Sequence, residues 1–199
     1  MEDENTMARV KLLDPAEAEG KTKEVFDKVE SYYQMVPGLQ KGLAYLPETT
    51  DALWTLSLCT AREGSIREEL KRVFFAVTAK EVECEYCTAA HMIALIMKEW
   101  TPEEISEVIQ GKPSSRLTDK ENAAVKFARV AGNRPAAVTN EMTDDLRKIG
   151  WTDAEIVEIV ACVALMRYTS TVAAVLDVPL EPAMEAVGVS CGVPLDKRD

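Results

Sequence analysis

The sequence predicts an all-α protein that folds around one hydrophobic core. Apolar residues recur with the spacing of amphipathic helices along most of the 199 residues, and alternating strand patterns are nearly absent. Apolar residues make up 47% of the chain, which is enough for a core in a protein of this length. Signals for helix starts and stops recur throughout, so we expect a succession of helices joined by short connections.

The apolar spacing places each helix along the chain. Taken in order, we expect helices near residues 15–34, 48–62, 66–81, 84–98, 102–110, 119–131, 140–149 and 153–176, with a short helix after Pro182. The residues between the third and fourth helices include neither glycine nor proline, so one continuous helix over 66–98 is also compatible with local propensity. The clusters "QMVPGLQKG", "GKPSSRL" and "GNRPAAV" are predicted to be connections.

Four helix starts carry the pattern of a capping box, in which a hydroxyl and a carboxylate three residues later satisfy free amides. The pairs are Ser65 with Glu68, Thr101 with Glu104, Thr118 with Glu121, and Thr152 with Glu155. From these boundaries we expect a single domain in three parts. They are an N-terminal helical segment over 1–64 packed on the core, a helical core over 65–190, and a C-terminal tail over 191–199.

The charge of the chain argues against two classes of partner. Its net charge of −11 arises from 34 acidic and 23 basic residues, without a run of Lys and Arg that would neutralise phosphates. We therefore expect neither nucleic acid nor a membrane surface as a partner. The N-terminus "MEDENTMARVKLL" lacks the basic and apolar segments of a secretory signal, which predicts a cytoplasmic protein. The apolar stretch over 154–176 carries three charged residues, so we expect a buried core helix there.

The segment "ECEYCTAAH" holds Cys84, Cys87 and the only histidine, His91. At helical spacing these three side chains share an arc of roughly 60° on one face. In that arrangement His91 can accept a proton from Cys87, and the thiolate is the form that attacks peroxides and disulfides. Cys84 is one turn away and can resolve an oxidised Cys87 as a disulfide.

Two other interpretations of the segment stay open. The first is two buried cysteines and a core histidine that happen to share a face. The second is zinc held by Cys84, Cys87 and His91, with Cys59, Cys162 or a carboxylate as a fourth ligand. Covalent c-type haem is excluded because Thr88, not histidine, follows the second cysteine. The remaining cysteines are interpreted as core residues (Cys59 and Cys162) and a tail thiol (Cys191).

The cysteine-histidine segment resembles the signature C-x-x-C-x-x-x-H of the AhpD-like alkylhydroperoxidases, within the carboxymuconolactone decarboxylase superfamily. The likeness extends to "DPAEAEGKTKEVFDKVES", "VPGLQKGLAYLPE" and the stretch from "LTDKENAAVKFARV" to "VLDVPLEP". These segments are similar to the peroxidase-related branch of that superfamily, and together they span roughly residues 8–185.

The resemblance implies an AhpD-like helical fold assembled as a homo-oligomer, such as a trimer or hexamer. It implies reduction of organic or hydrogen peroxide by a redox-active Cys84/Cys87 pair, recycled by a dithiol reductant such as a lipoyl protein or a thioredoxin-like protein. Cys87 would attack, Cys84 would resolve, and His91 would be the proton-relay base. No metal or nucleotide cofactor is implied.

The chain departs from the family pattern beside the cysteines. Arg72 stands twelve residues before Cys84, where the family commonly has a relay glutamate. Glu69 or Glu68 would then have to substitute as the acid, or Arg72 would favour the thiolate through its charge. Glu83 directly precedes the pair, where it can raise thiol pKa values or cap the helix start. Near the end of the long helix, the resemblance also points to Arg167 and Tyr168.

Two alternative functions come from other classes. One is a carboxymuconolactone decarboxylase-like enzyme acting on a lactone acid, which needs a proton donor and an anion-binding group but no paired thiols. The other is a non-enzymatic redox-sensing or zinc-stabilised oligomer. The thiol pair favours a peroxidase or thiol-disulfide oxidoreductase over both.

Overall fold

Ten α-helices and two short 3₁₀ turns form the regular structure of residues 8–195, which are the residues described by the computed structural model. That range contains no strand, which confirms the all-α prediction. The 3₁₀ turns are Pro15–Glu17 and Pro135–Ala137. The helices are α1 (Gly20–Tyr33), α2 (Gly38–Leu43), α3 (Pro47–Arg62), α4 (Glu68–Glu81), α5 (Glu85–Ile96), α6 (Pro102–Ile109), α7 (Asp119–Asn133), α8 (Asn140–Lys148), α9 (Asp153–Leu176) and α10 (Pro182–Cys191).

Three of the four predicted capping boxes are present. Thr101, Thr118 and Thr152 begin α6, α7 and α9, and each exchanges hydrogen bonds with the glutamate three residues later. The fourth prediction is wrong. Helix α4 begins after Arg67 without a side-chain cap, and Ser65 instead donates its amide and hydroxyl to Glu158 at 2.8 and 3.2 Å. A carboxylate distant in sequence has taken the place of the local cap.

Helices α4 and α5 are separate, so the alternative of one continuous helix is wrong. Glu83 adopts a left-handed backbone with φ of 56°, and the Cys84 amide donates to the Ala79 carbonyl oxygen at 3.0 Å. This 6→1 hydrogen bond and the left-handed residue end α4. The chain then turns, and Cys84 becomes the N-cap of α5.

Two further expectations are corrected at the ends of the chain. The segment predicted as a connection after residue 34 contains α2, whose Gly38 amide donates to Glu181 at 2.9 Å. Cys191 is the last residue of α10 and is buried, so it is not a tail thiol. Residues 1–7, which contribute to the expectation of no secretory signal, and tail residues 196–199 lie outside the described range.

Helix α9 lies at the centre of the fold and contacts α2, α3, α4, α5, α7 and α8. It is long and apolar enough to cross a membrane by length and composition, yet its inner face is buried in the core as predicted. Through α2 and α3 the N-terminal helices contact the same core. The proposed boundary at residue 64 stays a prediction.

A buried ion pair ties α4 to α9. Lys71 is 1% exposed, and its ammonium group lies 3.0 Å from the Glu158 carboxylate while also donating to the Glu63 carbonyl oxygen. Glu158 accepts the Ser65 amide and also the Ile66 amide at 3.1 Å. Burial raises the pKa of Glu158, but these amides and Lys71 outweigh burial and lower it. The pair therefore fixes the loop before α4 against α9.

Candidate thiol centre

Cys84 and Cys87 lie at the start of α5, where free helix amides are available. The Cys84 sulfur accepts the Cys87 amide at 3.4 Å, so the first cysteine caps the helix with its own side chain. A hydrogen bond to sulfur at the positive end of a helix favours the thiolate. None of the five cysteines is in a disulfide, and this pair is almost fully buried, with 1% of Cys84 and 4% of Cys87 exposed.

Cys87 faces Cys84 on one side and α9 on the other. The neighbouring Cys84 sulfur and burial raise the pKa of Cys87 well above its usual value, while the Ser170 and Thr169 hydroxyls act in the opposite direction. Thr169 also donates to the carbonyl oxygens of its own helix, at 3.2 Å to Met166. Ser170 is 1% exposed, and its hydroxyl completes no hydrogen bond within residues 8–195. The Ser170 hydroxyl can therefore donate a hydrogen bond to the Cys87 sulfur.

His91 lies one turn beyond Cys87 on α5, as the spacing predicted. Its Nδ1 atom is enclosed without a hydrogen-bond partner among the described residues, and its ring lies 5.0 Å from the Phe75 ring. Burial and the charge of Arg72 lower the pKa of His91 to about 3. The imidazole is therefore neutral near pH 7, and its predicted role as a proton-accepting base stays a prediction.

Arg72 occupies the position where an acid was expected and remains close to the centre. Its guanidinium lies 5.9 Å from the centre of the Phe75 ring, and only 13% of its side chain is exposed. It donates to Glu68 at 2.9 Å, and this hydrogen bond lowers the pKa of Glu68. Glu68 also lies 3.4 Å from Lys98, so both of its neighbours are cations.

The other two carboxylates considered for the relay have partners elsewhere. Glu69 accepts the Trp100 indole N–H at 2.6 Å and the Arg116 guanidinium at 3.1 Å. Burial raises the pKa of Glu69, but these hydrogen bonds and the charge of Arg67 outweigh burial and lower it. Glu83 is exposed, and the cap of α5 belongs to Cys84, so the expectation that Glu83 caps the helix is wrong.

The later residues singled out by the resemblance do not approach the thiols. Arg167 donates to the carbonyl oxygens of Gly132 and Asn133 at the end of α7. Tyr168 is 43% exposed on the outer face of α9. The site residues on this helix are their successors Thr169 and Ser170, which the sequence reasoning passed over. The sequence did contain a signal for them, which is a run of hydroxyl residues in an otherwise apolar helix.

Tyr86 is a second residue that sequence reasoning missed. Its hydroxyl donates to Glu181 at 2.8 Å, and the same carboxylate oxygen accepts the Gly38 amide. Burial and the Glu181 carboxylate raise the pKa of Tyr86 well above its usual value. Because Tyr86 lies between the two cysteines, this anchor to the residue before α10 fixes the first turn of α5.

The geometry gives no support to the zinc interpretation. Within residues 8–195, no three side chains of His, Cys, Asp or Glu are grouped so as to hold a metal ion. Cys162, named as a possible fourth ligand, is a buried core residue whose pKa is raised by burial to about 12. Cys59 is only half-buried on α3, which corrects its assignment to the core.

Two surface clefts lie away from the thiols. One is formed by α7 and residues 111–113, and the other by α10 and the residues after it. Neither is lined by Cys84, Cys87 or His91. Cys84 is 1% and Cys87 is 4% exposed, so both residues are nearly closed to solvent in this structure.

No protein-family model matches the sequence, and no curated protein matches it. Solved structures do. An uncharacterised peroxidase-related protein with an alkylhydroperoxidase AhpD core, from Ralstonia eutropha JMP134, is 18% identical with a TM-score of 0.79, covering 89% of this chain and 94% of its own. A peroxidase-related protein from Silicibacter sp. TM1040 is 21% identical with a TM-score of 0.75, covering 89% and 93%.

The third similar structure carries a different activity in its name. A cysteine-to-alanine variant of the debrominase Bmp8, in complex with 2,3,4-tribromopyrrole, is 20% identical with a TM-score of 0.78. The alignment covers 90% of this chain and 95% of the debrominase. Together with the ten helices and the thiols at the start of α5, these likenesses show that the chain has the AhpD-like helical fold.

Proposed function

We propose that the protein is a thiol-dependent peroxidase or thiol-disulfide oxidoreductase that works through Cys84 and Cys87. The observation that carries this proposal is the pair itself: Cys84 is the N-cap of α5, Cys87 lies in its first turn, no disulfide joins them, and the Cys87 amide donates to the Cys84 sulfur at 3.4 Å. The peroxidase-related proteins with the same fold support the reaction class.

In the proposed reaction, the Cys87 thiolate attacks one oxygen of a hydroperoxide and the O–O bond breaks. The products are a sulfenic acid on Cys87 and an alkoxide, which takes a proton to become an alcohol. The Cys84 thiol then attacks the Cys87 sulfur, which forms the disulfide and releases water. A dithiol reductant, such as a lipoyl or thioredoxin-like protein, then reduces the disulfide by thiol-disulfide exchange. This restores the Cys84 and Cys87 thiols, and the reductant is itself oxidised to a disulfide.

Proton movement is the step in which this chain differs from the expected relay. Cys84 is the more favourable site for the first negative charge, because its sulfur receives the helix amide. A Cys84 thiolate beside Cys87 can take the Cys87 proton, and Ser170 can then donate to the Cys87 thiolate. The neutral His91 can pass a proton to the leaving alkoxide while its other ring nitrogen takes one from water, so it does not first have to carry a charge.

Arg72 would act on this centre through its charge. It opposes a proton on His91 and favours a negative charge nearby, which is the electrostatic alternative to a relay acid. The assembly as a trimer or hexamer and the absence of a metal cofactor, which the family resemblance implies, remain part of the proposal, as does the cytoplasmic location expected from the sequence.

The proposal is tested by following peroxide consumption with purified protein, using hydrogen peroxide and a bulkier organic peroxide with dihydrolipoamide as reductant. We expect turnover, and its loss in Cys87→Ser. Cys59→Ser is the matched control, because Cys59 is a half-buried thiol on α3 outside the centre. Equal turnover in Cys87→Ser and the unsubstituted protein would contradict the assignment.

Reductive debromination is a second candidate, favoured by the debrominase of the same fold. A thiolate can take bromine from an electron-rich ring, which then receives a proton, and the second thiol displaces bromide as the disulfide forms. The net change converts a carbon–bromine bond and two thiols into a carbon–hydrogen bond, a disulfide and hydrogen bromide. Bromide release from 2,3,4-tribromopyrrole without peroxide turnover would favour this candidate over the first.

The decarboxylase alternative and the non-enzymatic alternative have no structural observation in their favour. Activity on a lactone acid that survives the loss of both cysteines would restore the former. A protein that consumes no peroxide yet changes its partners on oxidation would restore the latter.

A further inference from the structure

Three segments that are distant in the sequence meet at the hydroxyl of Tyr86. Tyr86 is 4% exposed, and its hydroxyl donates to Oε1 of Glu181 at 2.8 Å while accepting the Leu39 amide at 3.4 Å. The same Glu181 oxygen accepts the Gly38 amide at 2.9 Å. The phenol is thereby tied both to the start of α2 and to the residue before α10. We call these four residues, Gly38, Leu39, Tyr86 and Glu181, the tyrosine clamp.

The tyrosine clamp is closely packed, and one of its polar atoms is left unpaired. A Cβ atom on Gly38 would lie only 2.7 Å from a methyl group of Val178 and 3.7 Å from the Tyr86 hydroxyl, so glycine lets the start of α2 reach Glu181. Oε2 of Glu181 is enclosed without a hydrogen-bond partner among the described residues. An unpaired buried oxygen lowers stability, so the stability of the fold alone does not account for a carboxylate here.

Tyr86 lies inside the first turn of α5, directly before Cys87. Helix ends fray unless bonds hold them. Within this turn the bonds are local, since the Cys87 amide donates to the Cys84 sulfur at 3.4 Å and Thr88 donates to the Cys84 carbonyl oxygen at 2.7 Å. The tyrosine clamp adds bonds to α2 and to the residue before α10, which belong to other parts of the fold. It therefore restrains the segment that separates the two thiols.

We propose that Tyr86, held by Glu181, is a positioning residue that keeps Cys84 and Cys87 in the arrangement from which their disulfide closes. This inference rests on the proposed redox function of the pair. A disulfide requires its sulfur atoms about 2.0 Å apart and its Cβ atoms about 3.8 Å apart. A turn that is already ordered raises the effective concentration of one thiol at the other, because less conformational freedom is lost when the bond forms. The tyrosine clamp thus stabilises the disulfide relative to the two thiols.

The test is the equilibrium of the full chain with a series of glutathione buffers. Two protein thiols and one oxidised glutathione give the protein disulfide and two reduced glutathione molecules, so two electrons and two protons pass from the pair to glutathione. The constant for this exchange has the unit of a concentration and is the effective concentration of the two thiols. The tryptic peptide over residues 81–98 contains Cys84 and Cys87 and no other cysteine. Its oxidised fraction, measured by mass spectrometry after acid quenching, gives the constant.

Tyr86→Phe keeps the ring and removes the hydroxyl, so the effective concentration should fall about tenfold, as expected for releasing one residue of ordered backbone. This fall raises the reduction potential of the pair by about 30 mV. Glu181→Ala should have the same effect, and the double variant no larger one, because both changes break the same tie. Glu181→Gln should change the constant little, because its amide oxygen can accept the same two hydrogen bonds.

Trp100→Phe is the matched control. Trp100 is 2% exposed and donates its indole N–H to Glu69 at 2.6 Å, so it is also a buried aromatic donor to a carboxylate, but it lies beyond the end of α5. This variant should leave the constant unchanged. Circular dichroism checks that every variant keeps the helical fold.

An unchanged constant in Tyr86→Phe and Glu181→Ala would overturn the inference while the proposed function stands. An equal fall in Trp100→Phe would also overturn it, because the effect would then not belong to the first turn of α5. A fall in Glu181→Gln as large as in Glu181→Ala would assign the effect to the charge and overturn the positioning role. A peptide that stays reduced at every glutathione ratio in the unsubstituted protein would contradict the proposed function as well, so the two failures are distinguishable.

Discussion

Two buried polar regions of the molecule differ in how completely their groups are satisfied. Around Lys71 and Glu158, the ammonium group, the carboxylate and the amides of the loop before α4 all have partners. Around Cys87, the Ser170 hydroxyl and the His91 Nδ1 atom have none within residues 8–195. A buried polar group without a hydrogen-bond partner lowers the stability of the fold. We therefore infer that the Lys71 region stabilises the fold, and that the Cys87 region keeps unpaired groups that can take part in chemistry.

The largest expected effect comes from breaking the satisfied region. Lys71→Met should lower the free energy of unfolding by about 3–5 kcal/mol, because it leaves the Glu158 carboxylate, whose side chain is only 16% exposed, without its cation. Chemical denaturation measures the change. Lys126→Met is the control, since Lys126 is exposed on α7, and it should have little effect. A loss of less than about 1 kcal/mol in Lys71→Met would show that the pair is not a structural tie.

The second-largest expected effect is a dependence of the unfolding free energy on pH, and it comes from His91, the only histidine of the sequence. Its pKa is lowered in the folded protein to about 3, so protonation favours the unfolded chain. The stabilisation is complete above the ordinary histidine pKa of about 6.5 and is lost as the pH falls from there towards 3. We expect the unfolding free energy at pH 5 to be about 2 kcal/mol lower than at pH 8.

Two variants sharpen this pH prediction. His91→Gln should remove most of the difference between pH 8 and pH 5. Arg72→Gln should reduce it only in part, because burial is the larger cause of the lowered pKa and remains. A difference that persists unchanged in His91→Gln would assign the titration to another group.

The smallest effect on stability, and the one of opposite sign, is expected at Ser170. Ser170→Ala removes a buried hydroxyl that completes no hydrogen bond among residues 8–195 and acts only on the Cys87 thiolate, so stability should stay the same or rise by up to about 1 kcal/mol. Alkylation of Cys87 should nevertheless slow several-fold, because a hydroxyl that favours its thiolate is gone. Mass spectrometry of alkylated peptides gives the rate for each cysteine.

Thr50→Val is the variant to compare with Ser170→Ala, because it removes a buried hydroxyl that does make hydrogen bonds. The Thr50 hydroxyl is buried and donates to the Leu43 and Leu46 carbonyl oxygens at 2.8 and 2.9 Å. Its removal should cost about 1 kcal/mol and leave Cys87 alkylation unchanged. Equal losses of stability in Thr50→Val and Ser170→Ala would erase the distinction between the two regions.

The features that sequence reasoning predicted are those that local chemistry decides. The capping boxes at Thr101, Thr118 and Thr152 need only residues three apart, and all three formed. The capping box expected at Ser65 does not form, because the Ser65 amide donates instead to Glu158, a residue distant in the sequence. Helix α2 was missed because it is short, contains two glycines and is tied by Glu181, again from a distance.

The candidate site follows the same division. The placement of Cys84, Cys87 and His91 at the start and along the first turns of one helix could be predicted from their spacing, while their shared face stays a prediction. The place of Ser170 beside Cys87 could not be predicted, because it depends on how α9 packs against α5. The lowered pKa of His91 likewise depends on burial, which no local pattern reports.

The central claim is that Cys84 and Cys87 form one redox pair. The most direct measurement is peptide mass mapping of the reduced protein before and after one equivalent of hydrogen peroxide. We predict that the peptide carrying Cys84 and Cys87 loses two hydrogens, while Cys59, Cys162 and Cys191 remain free thiols. A pair that stays reduced while peroxide is consumed, or oxidation that falls first on Cys59, would contradict the account.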